Sequence, residues 1–265
     1  MSGSHALRGL RAAVVGGSIG GCAAALALHR AGCRDTTVYE RTAGALADRG
    51  VGVAVHAARY AELAAAGYLD ASMPWVRLAE RHWYVRDERV PLGRMLGSNA
   101  FPFRTYNWGP LWRELRARVP EGVRFRSGTP VLSVAESGAG AAVHTEDGSE
   151  PYDLVIGADG YRSVVRAAVC PAVEPRYAGY LAWRGAYPQS RLPDSGSWPE
   201  HSCAYVVFSG ATSSSTAFRG RTETYASTGS STPQCPSARA SAATTPPRFR
   251  PELWTHRRGP CCTNS

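Results

Sequence analysis

The sequence predicts an α/β fold, and three observations lead to that prediction. The first is a short apolar strand, RAAVV, which runs into a glycine-rich turn and an alanine-rich helix. The second is another strand, TTVYE, which ends at the acid Glu40. The third is the apolar run from Leu154 to Ile156, a pattern typical of a strand buried on both faces. Strands that alternate with helices in this way indicate a mostly parallel sheet.

The glycine-rich turn has the spacing of a dinucleotide-binding βαβ unit. A glycine at position 16 lets the strand turn sharply, and one at position 21 lets the helix pack close to it. The free N–H groups at the start of the helix favour a pyrophosphate, and Glu40 follows Gly21 by 19 residues, close to the spacing of a ribose-binding acid. Serine replaces the middle glycine of the motif but is small enough to fit. We therefore expect a Rossmann-like site for an adenine dinucleotide. Its candidate residues are Gly16, Gly17, Ser18, Ile19, Gly20, Gly21 and Glu40.

A second candidate motif follows the third strand. That strand stops at Gly157, and Asp159 and Gly160 predict a turn into a helix capped by Ser163. In open α/β sheets, ligands bind at the carboxyl ends of the strands, where this turn lies. Taken alone, the segment Ala-Asp-Gly is equally well explained as a plain turn, and both interpretations stay open.

Composition narrows the function classes. The net charge is +9 with no lysine at all, but the arginines form no basic stripe interleaved with aromatic residues, so we expect no nucleic-acid partner. No apolar run approaches the roughly 20 residues of a membrane span, so no membrane partner is expected. The sequence has no signal-peptide pattern, which predicts a cytoplasmic protein. Its seven cysteines, in no metal-like spacing, predict reduced thiols and no metal site.

Further elements follow from hydrophobic spacing. A helix is predicted over residues 57–66, ended by Gly67, and another over 107–119 with one buried stripe. The stripe consists of Leu111, Leu115 and Val119. Alternating residues within 74–95 predict two short strands. An antiparallel meander is predicted from the segments VRFRSG, PVLSVAES and AAVHTEDG.

The two glycine motifs together resemble those of the FAD-dependent aromatic-ring monooxygenases, flavoprotein hydroxylases built like para-hydroxybenzoate hydroxylase. The segment GGSIGG, with Glu40 and Arg41, matches their nucleotide motif, and DLVIGADGYRSVVR matches their Asp-Gly motif. The segment RYAGYLAWRGAYP resembles the start of the substrate-side sheet in the branch that contains 2,6-dihydroxypyridine 3-monooxygenase. The similarity covers residues 9–208.

This resemblance implies a Rossmann-like FAD-binding domain over 9–175, with residues 74–95 adding strands to an antiparallel substrate-side sheet. Residues 176–209 would begin the rest of that sheet. It also implies that FAD is the cofactor, that NAD(P)H is the reductant, and that the substrate is a small, electron-rich aromatic or heteroaromatic ring. The resemblance identifies no catalytic residue and leaves the oligomeric state open.

Individual residues receive roles from the same resemblance. Glu40 would hold the adenosine ribose, with Arg41 and Arg49 along the nucleotide. Asp159 and Gly160 would touch the flavin side of the cofactor. Trp108 stands where the family often has an arginine against the cofactor. For Trp75, Trp83 and Trp108 two alternatives stay open. They either line an aromatic-substrate pocket or pack in the core.

Residues 210–265 differ from the rest of the chain. Of these 56 residues, 19 are Ser or Thr, and Leu253 alone is Ile, Leu, Val or Met. Such a segment buries too little apolar surface to offset the entropy of ordering it, so we expect a disordered or aberrant tail. A shifted reading frame would explain it, because another frame over 216–224 permits Tyr-Arg-Val-Pro-Gly-Pro-Asp-Gly-Asp. The nucleotide sequence of the gene tests this hypothesis by showing whether that frame continues into a Gly-Asp motif.

The Gly-Asp motif that family members carry near the chain end is absent from this sequence. That absence favours a truncated or frame-shifted hydroxylase with impaired activity. Three alternatives stay open: a working hydroxylase, a non-catalytic nucleotide-binding module with a disordered interaction tail, and an NAD-dependent dehydrogenase. The dehydrogenase is disfavoured because it gives the Asp-Gly motif no role.

Overall fold

The computed structural model describes residues 7–44, 46, 52–87, 89–177, 180–188, 201–208, 211–219 and 224–233. The helices of this part are α1 (Ile19–Arg30), α2 (Ala57–Ala65), α3 (Trp108–Arg118) and α4 (Val164–Val169). Its first strands are β1 (Arg11–Val15), β2 (Asp35–Glu40), β3 (Gly52–His56), β4 (Val76–Asp87), β5 (Val90–Asn107), β6 (Arg124–Ser127) and β7 (Ser133–Ser137). They are followed by β8 (Gly140–Thr145), β9 (Gly148–Tyr152), β10 (Leu154–Gly157), β11 (Tyr180–Pro188), β12 (Ser202–Phe208), β13 (Ala211–Arg219) and β14 (Thr224–Pro233).

A parallel sheet of order β10-β1-β2-β6 confirms the predicted α/β fold. Its central strand β1 is buried, and alternate side chains point to opposite faces. Ala12 and Val14 pack into the core formed with α1 and α3, whereas Ala13 packs with Tyr152 of the antiparallel sheet β7-β8-β9. Both faces are therefore covered, as the continuous apolar composition of β1 requires.

One strand lies in a different sheet from the predicted one. The VRFRSG segment forms β6, which pairs in parallel with β2 and is not part of the meander. The other two predicted strands form β7 and β8, and the third strand of that sheet is β9, which was not predicted. Val38 lies beside Phe125 in this register. The physical reason is that alternation identifies a strand but carries no information on its partner.

The third sheet has the order β11-β14-β13-β12-β4-β5-β3. Residues 74–95, predicted as two short strands, belong to two long ones, since β4 has 12 residues and β5 has 18. β4 and β5 pair in antiparallel fashion with bulges along their length, and β12 is parallel to β4. Strand β11, within the predicted start of the substrate-side sheet, pairs with β14.

The structure contradicts predicted disorder in two segments of the Ser/Thr-rich region. Residues 211–219 and 224–233 form β13 and β14, which pair with each other and with β12 and β11. Backbone pairing needs no apolar side chain, which explains why the composition argument misses these strands. Residues 234–265 of the predicted tail lie outside the described residues. The domain boundaries stay predictions.

Two of the predicted helix signals, the glycine after α2 and the serine before α4, are confirmed, whereas the cap of α3 was not predicted. Helix α2 ends just before Gly67, which has φ of +70°. Asn107 caps α3 through its side chain, and Ser163 accepts from the Arg166 backbone N–H to cap α4. The predicted apolar stripe is buried: Leu111 and Leu115 lie on α3, and Val119 directly follows it. No helix in the described part of the chain is long and apolar enough to cross a membrane.

Candidate nucleotide-binding site

The glycine loop after β1 has little room for side chains at two positions. At Gly16, with φ of +105°, a Cβ atom would overlap the Ala158 carbonyl. At Gly21, a Cβ atom would overlap the carbonyl oxygen of Gly16 itself. These geometries agree with the turning and packing roles expected from the sequence. Gly20, by contrast, is exposed and has open space where a side chain would begin.

The open side of this loop is the N-terminal end of α1. Ser18 is the N-cap residue, and its carbonyl accepts the Cys22 N–H at 2.9 Å. Its side chain makes no capping hydrogen bond, so that the hydroxyl stays available to a ligand. The first N–H groups of a helix, here from Ile19 and Gly20 onward, have no intrahelical acceptor. This end of α1 therefore presents hydrogen-bond donors and a positive dipole to an anion.

Glu40 lies at the carboxyl end of β2, with only 6% of its surface exposed. Its Oε2 accepts the Gly17 N–H at 2.9 Å, and its Oε1 accepts the Thr42 N–H at 2.8 Å. The two bonds fix the carboxylate directly beside the glycine loop. Each oxygen retains acceptor capacity, which is what a ribose hydroxyl requires.

Gly17 is also held from the opposite side by an indole. The Nε1–H of Trp112 on α3 donates to the Gly17 carbonyl at 2.9 Å. A Cβ atom at Gly17 would lie 2.6 Å from the Phe125 ring and 2.8 Å from Cβ of Glu40. Sequence reasoning missed the Trp112 contact. Its signal is indirect, because Trp112 lies one helical turn after Trp108 on the predicted α3 and faces the same way.

The second motif lies against the first. The Ala158 N–H donates to the Val15 carbonyl at 2.7 Å, which extends the β1–β10 ladder into the Asp-Gly turn. Oδ2 of Asp159 accepts the Val164 N–H at 2.7 Å. Its Oδ1 is buried and has no hydrogen-bond partner among the described residues. An unpaired buried carboxylate oxygen is costly, so this atom indicates a donor from outside the described residues.

The remaining candidate residues, apart from the two motifs' central ones, make fewer contacts that fix their position. Gly160 has φ of +81° and space for a side chain, so its backbone angle is what favours glycine. Arg41 is exposed beyond the end of β2, and Arg49 lies outside the described residues. Trp108 stacks on Trp112, with ring centroids 6.4 Å apart and an interplanar angle of 2°.

The structure distinguishes between core packing and a pocket lining for the three tryptophans discussed above. Trp75 and Trp108 are half-buried against the main core, whereas Trp83 lines an open cavity of about 350 Å³ on the large sheet.

Beside the glycine loop, burial raises the pKa of the Cys22 thiol to about 11, so the thiol is protonated at neutral pH. Among the described residues, no group of three or more His, Cys, Asp or Glu side chains is arranged to hold a metal ion.

The residues present fit the adenosine and pyrophosphate part of a dinucleotide such as FAD. The fit rests on the open face at Gly20, the fixed Glu40 carboxylate and the donors at the start of α1. The unpartnered Oδ1 of Asp159 fits a donor on the far half of the same ligand. The glycine loop and the Asp-Gly turn thus form one continuous surface from elements about 140 residues apart in sequence.

No family model matches the chain. It is 32% identical over 192 residues to 3-amino-4-hydroxybenzoate 2-monooxygenase of Streptomyces platensis, a match that covers 69% of this chain and 47% of the relative. It is 31% identical over 193 residues to 2,6-dihydroxypyridine 3-monooxygenase of Paenarthrobacter nicotinovorans, covering 69% and 45% respectively. The chain thus spans about half the length of these relatives.

Solved structures give the same grouping. The 2,6-dihydroxypyridine-3-hydroxylase from Arthrobacter nicotinovorans matches with a TM-score of 0.73 and 26% identity, covering 86% of this chain and 57% of the other. HpxO of Klebsiella pneumoniae, solved with FAD and uric acid, shares the fold with a TM-score of 0.67 and 21% identity, covering 88% and 59%. Fold and site define an α/β protein with a Rossmann-like glycine loop and an added antiparallel sheet. More particularly, the chain is a homologue of the FAD-dependent aromatic-ring monooxygenases, which confirms the resemblance noted in the sequence.

Proposed function

We propose that this chain is the nucleotide-binding part of an FAD-dependent, NAD(P)H-using monooxygenase that hydroxylates an electron-rich aromatic or hydroxypyridine-type ring. The observation that carries the proposal is the contact between the glycine loop and the Asp-Gly turn, because Gly16 leaves no room for a side chain against Ala158. The relatives, named as monooxygenases of aminohydroxybenzoate and dihydroxypyridine rings, support the same reaction class.

In this proposal the chain binds and orients the cofactor, which supplies the redox chemistry when bound. Glu40 would hold the ribose, and residues 16–21 would hold the pyrophosphate, with Arg41 and Arg49 beside the nucleotide. Asp159 and Gly160 would contact the flavin side. Trp108 would support the glycine loop indirectly, because it stacks on Trp112, which is bonded to Gly17. The protein would act in the cytoplasm on a small ring, without nucleic acid or membrane as a partner.

A non-catalytic nucleotide-binding module is the alternative function. The observation that favours it is that the contacts described at the glycine loop and Glu40 match the adenosine end of a dinucleotide, which a binding module also needs. Both functions predict nucleotide binding. They differ in how much the flavin half of the ligand adds to the binding affinity. Ring-hydroxylated product formed with NAD(P)H would exclude the alternative.

Equilibrium dialysis against FAD and ADP tests the proposal. We expect both ligands to bind, with FAD no more than about tenfold tighter, since the glycine loop and Glu40 would hold the adenosine end that both ligands share, and among the described residues the Asp-Gly turn alone would touch the flavin half. Asp159→Asn keeps an acceptor for the Val164 N–H but replaces the unpaired oxygen by a donor. It should weaken FAD by about five- to tenfold and leave ADP unchanged.

The exposed Asp147, in the turn between β8 and β9, provides the matched control through Asp147→Asn. This substitution should change neither affinity. If neither FAD nor ADP binds, the nucleotide-binding proposal is wrong. If FAD binds far more than tenfold tighter than ADP, the flavin half of the site is complete and the impaired-fragment interpretation fails.

A further inference from the structure

Two arginines lie directly opposite each other on neighbouring strands of the large sheet. Arg77 of β4 is the register partner of Arg104 of β5, and residues paired in this way project from the same face. Like charges in directly opposed positions destabilise a sheet, and an anion between them would relieve the repulsion. None of the ion pairs formed among the described residues includes either arginine. The charge of this pair is therefore not neutralised by the described part of the chain.

The Arg104 guanidinium lies against two aromatic rings. Its central carbon is 3.5 Å from the ring centroid of Tyr60 on α2 and 3.9 Å from that of Trp75. Such rings attract the positive charge, but they leave the N–H donors without acceptors, because these donors lie in the plane of the guanidinium. The Nη1 atom is buried and has no hydrogen-bond partner among the described residues. An oxyanion in the guanidinium plane would supply the missing acceptor.

A phenol without a partner projects from the same face. Tyr106 lies two residues after Arg104 on β5, and only 1% of its surface is exposed. Its hydroxyl has no hydrogen-bond partner among the described residues. Burial raises the pKa of this phenol, and the charge of the nearby Arg104 lowers it by less, so that the hydroxyl keeps its proton at neutral pH. A protonated hydroxyl beside an arginine is a second donor for an anion.

One carboxylate acts on the Tyr106 phenol through its charge but is engaged elsewhere. This carboxylate is Asp70, which forms an ion pair with Arg118 and accepts the Ser72 hydroxyl at 2.6 Å. The hydrogen bonds from Ser72 and Arg118 lower the pKa of the Asp70 carboxyl to about 2. Because Arg118 already balances this negative charge, Asp70 does not supply the anion that the two opposed arginines lack.

We propose that Arg77, Arg104 and Tyr106 bind a phosphate group that carries two negative charges. Arg77 is exposed and Arg104 is half-buried, so such a group can reach the pair from solvent. Two guanidinium groups match a doubly charged ligand, whereas a monovalent anion would leave one positive charge in excess. The phosphate has two candidate sources, free phosphate and the 2′-phosphate by which NADPH differs from NADH. The second source rests on the proposed monooxygenase function and would identify NADPH as the reductant.

Equilibrium dialysis of the full chain at constant ionic strength tests this site. Labelled inorganic phosphate probes the first source, and NADP⁺ compared with NAD⁺ probes the second. Arg104→Gln should weaken phosphate binding about tenfold or more, because charged hydrogen bonds are lost. Arg77→Gln should weaken it by about fivefold, since solvent screens an exposed charge. Arg86→Gln, at an exposed arginine further along β4, should change nothing.

Tyr106→Phe keeps the test decisive should Arg104→Gln unfold, as seen in the near-ultraviolet circular dichroism. The hydroxyl has no partner among the described residues, so its removal should not lower the stability of the phosphate-free protein. It should nevertheless weaken phosphate binding by about threefold to tenfold. A purely structural Arg104, held by its two rings, predicts no such effect.

A preference for NADP⁺ that Arg104→Gln or Arg77→Gln reduces supports the site and identifies the reductant as the source. Phosphate binding that the same variants weaken, without a preference for NADP⁺, supports the site with free phosphate as the source. The inference is overturned if the unchanged protein neither binds phosphate nor prefers NADP⁺. Unchanged binding in Arg77→Gln and Tyr106→Phe alike overturns it as well. FAD and ADP binding is measured separately, so the nucleotide proposal can survive when this inference fails.

Discussion

Replacing Gly21 by alanine is expected to destabilise the protein by about 3 kcal/mol or more, a large part of the usual stability of a domain. The added Cβ atom would overlap the backbone carbonyl of Gly16, which cannot move aside as a flexible side chain does. Relief requires that α1 shift away from β1 and disturb the core around Val14 and Cys22. Urea denaturation followed by far-ultraviolet circular dichroism measures the change.

The adjacent glycine offers a control in the same helix. Gly20 has open space at its Cβ position, so Gly20→Ala should leave stability unchanged or raise it by about 0.5–1 kcal/mol through helix propensity. The same methyl group would stand on the face offered to a pyrophosphate and should weaken FAD and ADP alike. Equal stability losses in Gly20→Ala and Gly21→Ala would contradict this account of the loop.

Glu40→Ala is expected to lower both stability and nucleotide affinity. It leaves the N–H groups of Gly17 and Thr42 without their acceptor, and the first of these is buried. An unsatisfied buried donor costs about 1–3 kcal/mol. Since the ribose is common to both ligands, FAD and ADP should weaken by the same factor, about tenfold or more, in equilibrium dialysis.

Two further variants separate the causes of that loss. Glu40→Gln keeps one oxygen acceptor and should fall between Glu40→Ala and the unchanged protein in both measurements. Glu62→Ala removes an exposed carboxylate that pairs with Arg59, and it should affect neither, because surface ion pairs contribute little. A Glu40→Ala protein that loses FAD but keeps ADP would show that the carboxylate does not face the ribose.

What the sequence predicted well is encoded locally. The turn at Gly16, the packing at Gly21 and the cap at Ser163 follow from the backbone needs of single residues, and the structure has each of them. The approach of the two motifs was expected because parallel strands bring their carboxyl ends to one edge of a sheet. Glu40 could be singled out by its spacing of 19 residues from Gly21 and by its place at the end of a strand.

Other features depend on partners far along the chain and were not predicted. The parallel pairing of β6 with β2 and the bond from Trp112 to Gly17, 95 residues away, leave no local signal. Strands β13 and β14 gain their order from backbone pairing, whereas the prediction considered side-chain hydrophobicity alone.

The bond between Trp112 and the Gly17 carbonyl gives the loop a built-in fluorophore. Excitation of an indole increases the acidity of its N–H, so the emission of Trp112 should respond to any change at that carbonyl. Nucleotide binding on the other side of the same peptide should therefore shift the emission spectrum. The difference between the unchanged protein and Trp112→Phe isolates this signal from the six other tryptophans of the chain. Titration with ADP, which absorbs outside the emission band, would then report loop occupancy without a label, and an unchanged difference spectrum would show that the contact is insensitive to the ligand.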